Sequence, residues 1–171
     1  LLALARAESG GRRLADATPV ELAPLIDDLV EGWLEVADRR GIDLGIQREA
    51  VSLVGDPTLL QELISNLMDN ALKYTPAGGS VTLHCGQAAD GRHIEIEVAD
   101  TGPGIPESVR AQVFERFYRH TGTTVGGSGL GLPIAREIVH CHGGHITPAS
   151  GAHGDGTVVR VSLPASNDRG R

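Results

Sequence analysis

The chain has 171 residues, 40% of them hydrophobic, enough for one compact domain with a full core and at most a short appended element. A formal charge of −7 excludes a broad nucleic-acid footprint, because backbone phosphates need a clustered positive surface; a local anion site stays open. Two cysteines without CxxC spacing exclude a secreted disulfide framework, no apolar run approaches the ~20 residues that span a bilayer, and no signal-peptide pattern is visible, so a reducing cytosol fits best.

The opening stretch, LLALARAESG, has helical spacing, stops at Gly10-Gly11 and lacks an initiating methionine. Residues 1–13 are expected to be the remnant of a helix from a preceding module, and the chain a piece of something longer whose remainder has room for a membrane anchor. From Pro19 to Arg40, apolar residues recur at steps of three and four (Leu22, Leu25, Ile26, Leu29, Val30, Trp33, Leu34, Ala37), which predicts a long amphipathic helix ended by Gly41. IDLGI and VSLVG alternate and read as a pair of strands. Asp56 as N-cap and Pro57 at the first helical position open the next helix, whose apolar face is Leu59, Leu60, Leu63, Ile64, Leu67, Met68, Ala71 and Leu72.

SVTLHCGQAADGRHIEIEVAD predicts a hairpin turning at Asp90-Gly91. After the Gly/Pro segment DTGPGIP, ESVRAQVFERFYR reads as helical, a Gly/Thr loop follows, and another helix begins near Ser128. GHITPAS and GTVVRVSLP form a closing strand pair around GAHGDG, and ASNDRGR, residues 165–171, is expected to be a frayed tail. Helices and strands mix without strict alternation. That favours an α+β fold with one helix layer on a mixed or antiparallel sheet over a doubly wound one. With 3% aromatic residues, the core is expected to be aliphatic.

Three stretches carry chemistry. Glu62, Asn66, Asn70 and Lys73, the chain's only lysine, share a stripe at the border of the apolar helix face. Asparagine costs roughly half a kcal/mol relative to alanine in a helix, so a pair invites a reason. They either cap neighbouring backbone or meet water, or they offer amide oxygens to Mg²⁺, with Lys73 one turn on for a phosphate. Asp100 then lies at a strand end before Gly102 and Gly104, which is either a plain turn or a backbone that passes close to something flat or anionic. A dinucleotide fingerprint is disfavoured because Glu107 stands where the third glycine belongs. Finally, Gly126, Gly127, Gly129 and Gly131 precede a helix, where free N–H groups favour an anion, although no Walker Gly-Lys-Ser/Thr follows. HCHGGH lacks a second ligand cluster with zinc spacing, and structural or surface roles are expected for His140, Cys141, His142 and His145.

In order, these stretches resemble the boxes of the catalytic and ATP-binding (HATPase) domain of bacterial two-component sensor histidine kinases, in the superfamily of gyrase, the heat-shock-ninety chaperone and the MutL-type mismatch-repair ATPases. DPTLLQELISNLMDNALKYTP resembles the N box, DTGPGIP the first G box, VFERFYR the F box and GGSGLGLPIAREIVHCHGG the second G box, with GDGTVVRVSLP closing the domain. The likeness runs from about residue 19 to 164 and implies a two-layer α/β sandwich of the Bergerat type with a mobile ATP lid, as residues 14–164. HTGTTVGG matches that lid and is expected to be mobile without nucleotide.

The resemblance implies ATP and Mg²⁺ as cofactors. It places Asn66 and Lys73 in catalysis, Asn70 as the favoured direct Mg²⁺ ligand, and Tyr74 beside the nucleotide. Asp100 would accept the adenine amino group, so ATP should be preferred to GTP, whose carbonyl there would face an acceptor. Gly102 and Gly104 would lie beneath the base and Gly129 and Gly131 beside the triphosphate, with Ile105, Phe117, Gly127, Ser128, Leu130, Leu132 and Thr157 completing the nucleotide site. Gyrase-like relatives resemble one another in a glutamate four residues before the metal asparagine; Asn66 here cannot take a proton from water. γ-Phosphoryl transfer to a histidine is therefore expected over hydrolysis. None of the seven histidines has the phosphoacceptor setting. The implied partners are the dimerisation and histidine-phosphotransfer domain of the same kinase and, indirectly, a response regulator receiver domain, with no nucleic acid and no membrane contact from this fragment. The implied location is the cytoplasmic domain of a membrane-anchored sensor, and the fragment is not expected to autophosphorylate alone. The alternatives are an ATP-dependent binding module without transfer and a slow gyrase-like ATPase.

Overall fold

The structure is a computed structural model that describes Leu14 and residues 17–115, 131–151 and 155–166. Strand β1 (Thr18–Glu21) leads into helix α1 (Leu22–Arg40), followed by β2 (Asp43–Arg48), β3 (Ser52–Gly55), α2 (Pro57–Tyr74), β4 (Ser80–Gln87), β5 (His93–Asp100), α3 (Gly131–Cys141), β6 (His145–Ser150) and β7 (Thr157–Pro164). A five-stranded sheet has the order β2-β4-β5-β7-β6, parallel between β2 and β4 and antiparallel elsewhere. β1 and β3 form a separate antiparallel pair.

Alternation makes the sheet two-faced. Val81, Leu83, Cys85, Ile94, Ile96, Val98, Val159, Val161 and Leu163 point to the buried side, beneath the helices. The other face carries ion pairs such as Arg160 Nε to Glu97 Oε2 at 2.6 Å, on directly opposed residues. Burial, with Glu49 nearby, pushes the Cys85 thiol up to about 12, so it stays an inert core thiol. The expected aliphatic core is present, with Trp33 and Phe114 the aromatic members among the described residues.

Helix α2 forms as its sequence requires. Asp56 accepts the Thr58 and Leu59 N–H groups, Pro57 occupies the first helical position, and the eight expected apolar residues are all buried. Each large one contributes about 2 kcal/mol through removal from water. α3 packs beside it, with Leu132, Ala135, Ile138 and Val139 buried. α1 ends in a left-handed Gly41 (φ 64°), whose N–H bonds back to Ala37 and Asp38 carbonyls.

Three expectations need correction. The helix predicted from Pro19 begins at Leu22: Val20 buries against β3, and Pro19 and Val20 pair with Val54 and Leu53. IDLGI and VSLVG are strands but do not pair with each other, because β2 joins β4 and β3 joins β1. Where residues 107–119 read as one helix, Glu107–Val109 and Gln112–Phe114 are separate 3₁₀ turns. Among residues 107–115 only Phe114 is buried, too narrow an apolar face to hold a continuous helix there, and residues 116–119 lie outside the described set. In the expected tail, Ala165 and Ser166 donate N–H bonds to Arg92 and Ser52 carbonyls.

HCHGGH resolves into a structural role. His142 is buried; its Nδ1 donates to the Ile138 carbonyl at 2.7 Å and its Nε2 accepts the Asp56 N–H at 3.1 Å, joining the end of α3 to the start of α2. Burial holds its pKa below the ordinary histidine value, against the opposing pull of the Ile138 carbonyl and the Asp56 charge. The unfolded chain therefore takes up a proton that the folded one refuses. His142's contribution is complete above about pH 6.5 and declines as pH falls below it. Thermal unfolding should show a smaller loss of stability between about pH 7 and 5.5 in His142→Asn than in the parent; identical pH slopes would remove the assignment.

Candidate functional site

Among the described candidate residues, Asp100, Gly102 and Thr157 meet the end of α2 at Tyr74, and Asn66 meets the start of α3 at Gly131. β5 delivers Asp100 to its last position, half-buried. Its Oδ1 accepts N–H groups from Gly102 at 2.8 Å and Thr157 at 3.2 Å. Burial raises the Asp100 pKa and those two bonds oppose the rise by favouring the charged form. Oδ2 accepts no hydrogen bond from the described residues, so one oxygen is fixed and the other is open to a donor from outside.

Close backbone approaches set this corner. A Cβ on Gly102 would lie 2.9 Å from Asp100 Oδ1 and 3.0 Å from the Tyr74 carbonyl, so the loop after β5 presses on the end of α2. A Cβ on Gly104 would lie 3.0 Å from the Gly156 carbonyl. Ile105 follows, half-buried, with its carbonyl accepting Arg110 Nε at 3.2 Å. Thr157 is buried, one residue after Gly156.

On α2, Glu62, Asn66, Asn70, Lys73 and Tyr74 are all half-buried, the border position that the periodicity required. Asn66 donates from Nδ2 to the Glu62 carbonyl at 2.9 Å, a bond only the amide nitrogen can make, which turns Oδ1 outward. A Cβ on Gly131 would lie 3.5 Å from that Oδ1, so the start of α3 abuts the asparagine. Asn70's side-chain amide makes no hydrogen bond with the described residues. Lys73 Nζ lies 5.2 Å from the Tyr74 ring centroid, a cation held over an aromatic face. Leu132 is buried beneath the α3 entry.

Phe117, Gly127, Ser128, Gly129 and Leu130, and the expected lid over residues 120–127, lie outside the described residues. Gly156 was missed by the sequence reading; its signal was the Gly-Asp-Gly just before Thr157. At φ 79° a Cβ there would lie 1.9 Å from the Asp100 carbonyl oxygen. Arg40 was missed as well: its Nη2 donates to the Thr75 carbonyl at 3.3 Å, at the end of α2. Among the described residues, no group of three or more His, Cys, Asp or Glu side chains forms a metal site, and no helix is long and apolar enough to cross a membrane.

Similarity to known proteins agrees with this layout. Residues 55–167 match the family of histidine kinase-, DNA gyrase B-, and HSP90-like ATPases, and the chain belongs to that family as a histidine-kinase ATPase domain of the two-component sensor type. It is 39% identical over 165 residues to the sensor protein kinase PmrB of Pseudomonas aeruginosa, covering 96% of this chain and 34% of PmrB. It is 42% identical over 156 residues to the signal transduction histidine-protein kinase/phosphatase MprB of Mycobacterium leprae, covering 87% of this chain and 30% of MprB. The chain thus spans about a third of the length of these curated relatives.

Among solved structures, the mycobacterial sensor histidine kinase MprB superposes with a TM-score of 0.76 at 35% identity, covering 88% of this chain and 98% of that one. Full-length ShkA in complex with AMPPNP superposes with a TM-score of 0.81 at 29% identity, covering 96% of this chain and 34% of ShkA. The α+β architecture, with helices on one face of a mostly antiparallel sheet, is that of histidine kinase catalytic domains.

Proposed function

We propose that this domain binds Mg-ATP and positions its γ-phosphate for transfer to a histidine on the dimerisation domain of the same kinase, outside these residues. From that histidine a response regulator receiver domain would take the phosphate, on the cytoplasmic side of a membrane-anchored parent. The observation that carries the nucleotide reading is Asp100: Oδ1 is locked by two backbone N–H groups while Oδ2 is left for a ligand donor. An adenine amino group is such a donor, and guanine would bring a repelled carbonyl to the same place. AMPPNP in the ShkA complex makes an adenine nucleotide the natural ligand to test.

The residues around Asn70 fit a magnesium ion. A neutral amide oxygen with no hydrogen bond to the described residues is a hard ligand, and Mg²⁺ takes much of its remaining shell from phosphates and water. Bound there, the ion would neutralise phosphate charge during transfer. Lys73, one turn on, would meet a phosphate oxygen, and Tyr74 would pack beside the nucleotide. Gly131 and Leu132 open α3 next to Asn66, where the second G box would border the triphosphate.

Asn66 separates transfer from hydrolysis. Its amide cannot act as a general base, and its Nδ2 is already committed to the Glu62 carbonyl. Glu62 sits one turn earlier on the same stripe, so its carboxylate replaces the missing base only if the register of the site shifts. Water attack should be slow, leaving the phosphate for a better nucleophile. Asn66→Glu should raise the ATPase rate about tenfold or more, measured as phosphate release at saturating Mg-ATP; an unchanged rate would count against the role given to position 66. Transfer of labelled phosphate to a separately supplied dimerisation domain tests the function as a whole.

A further inference from the structure

α1 ends beside the C-terminus of α2, at the edge of the candidate site. Arg40, in its last turn, donates from Nη2 to the Thr75 carbonyl at 3.3 Å. Thr75 is fully buried, and both its N–H and its Oγ1 bond the Ala71 carbonyl, at 3.1 and 2.8 Å. One residue earlier, the Tyr74 carbonyl is the surface on which Gly102 packs, and the Gly102 N–H holds Asp100 Oδ1 at 2.8 Å. Two successive peptide units, Tyr74–Thr75 and Thr75–Pro76, therefore link the turn that orients Asp100 to the Arg40 guanidinium.

Backbone bonds tie the same two helix ends together. The Gly78 N–H donates to the Gly41 carbonyl at 2.7 Å, and the Asp43 N–H to the Gly79 carbonyl at 2.9 Å. A guanidinium donating to a carbonyl just past a helix C-terminus is also favoured by the negative end of the helix dipole. We propose that Arg40 is a positioning residue for the base end of the nucleotide site: it holds the Thr75–Pro76 peptide and, through the adjoining Tyr74 carbonyl and Gly102, the aim of the Asp100 carboxylate. The inference rests on the reading that Asp100 meets adenine, and it makes the end of α1 part of the machinery that sets nucleotide affinity.

The test titrates ADP without magnesium, and Mg-ATP, into the full chain and into Arg40→Ala, Arg40→Lys and Asp100→Asn, well below each melting temperature. Arg40→Ala should weaken both nucleotides by the same factor, about fivefold, because the base is common to them. Arg40→Lys, which keeps the charge and a donor, should recover part of that loss. A lower melting temperature in Arg40→Ala with unchanged nucleotide affinity would overturn the proposal, as would a loss confined to Mg-ATP, which would place the effect at the phosphate end. Asp100→Asn separates the two levels. If it loses affinity while Arg40→Ala does not, the Arg40 inference alone fails; if it keeps affinity, the adenine reading fails and the inference with it.

Discussion

Asp100→Asn is expected to lower ATP affinity by about tenfold to a hundredfold while leaving the fold intact. The carboxylate has no donor to offer: Oδ1 accepts the Gly102 and Thr157 N–H groups, and Oδ2, which accepts no hydrogen bond from the described residues, is the oxygen proposed to meet the ligand. An asparagine must put its NH₂ on one side or the other. Facing the two backbone N–H groups, it sets donor against donors inside a half-buried corner and loosens the start of β7. Facing the ligand, it sets donor against the adenine amino group. Each arrangement leaves a desolvated donor without an acceptor, which costs about 1–3 kcal/mol. Calorimetric titration measures the loss and a thermal melt checks the fold; affinity within twofold of the parent would move the base elsewhere.

Gly156→Ala is expected to damage the fold itself, by about 3 kcal/mol or more. Its φ of 79° is strained for any residue with a Cβ, and that Cβ would lie 1.9 Å from the Asp100 carbonyl oxygen, a backbone atom that cannot swing aside as a side chain would. Relief requires β7 to separate from the end of β5, where Asp100 pairs with Thr157. Gly91 provides the control. It has a φ of 64° in the β4–β5 turn, and a Cβ there would meet nothing within 4 Å, so Gly91→Ala carries only the left-handed backbone cost of about 1–2 kcal/mol. In chemical denaturation Gly156→Ala should lose clearly more stability than Gly91→Ala. Equal losses would show that the close approach to Asp100 is not what makes position 156 a glycine.

The two substitutions mark how far the sequence could be read. The placing of Asp100 at a strand end before Gly102 and Gly104, and of the α2 stripe on one helix border, was legible because these signals are local. Asp56 and Pro57 announced α2 for the same reason, through capping chemistry confined to a few residues. Gly156 was not legible, because its constraint comes from a carbonyl 56 residues earlier in the chain, and Gly-Asp-Gly alone reads as a turn. Arg40 and His142 were hidden likewise, one by a bond to Thr75 and the other by a bond to Asp56 across 86 positions.

Strand partners failed for a related reason. β2 alternates well enough to be recognised, yet nothing within it says that its neighbour is β4, reached only after β3 and α2 have passed. β1 was absorbed into the helix because Leu22 and Leu25 fit a helical period, and Val20 differs from them only in having β3 to lie against. The segment after Pro106 carried enough apolar residues to suggest a helix, but among its described residues too few are buried for one to persist.

The central claim is that these residues hold Mg-ATP for phosphoryl transfer to a histidine elsewhere in the kinase. The most direct measurement mixes the domain with a separately produced, histidine-bearing dimerisation domain of its parent kinase and γ-labelled ATP, and follows label on each protein. The dimerisation domain should become labelled only when this domain and magnesium are both present. Asn70→Ala should abolish the transfer, and this domain alone should remain unlabelled. Tight ATP binding without label reaching the dimerisation domain under any of these conditions would contradict it and leave a nucleotide-dependent binding module in its place.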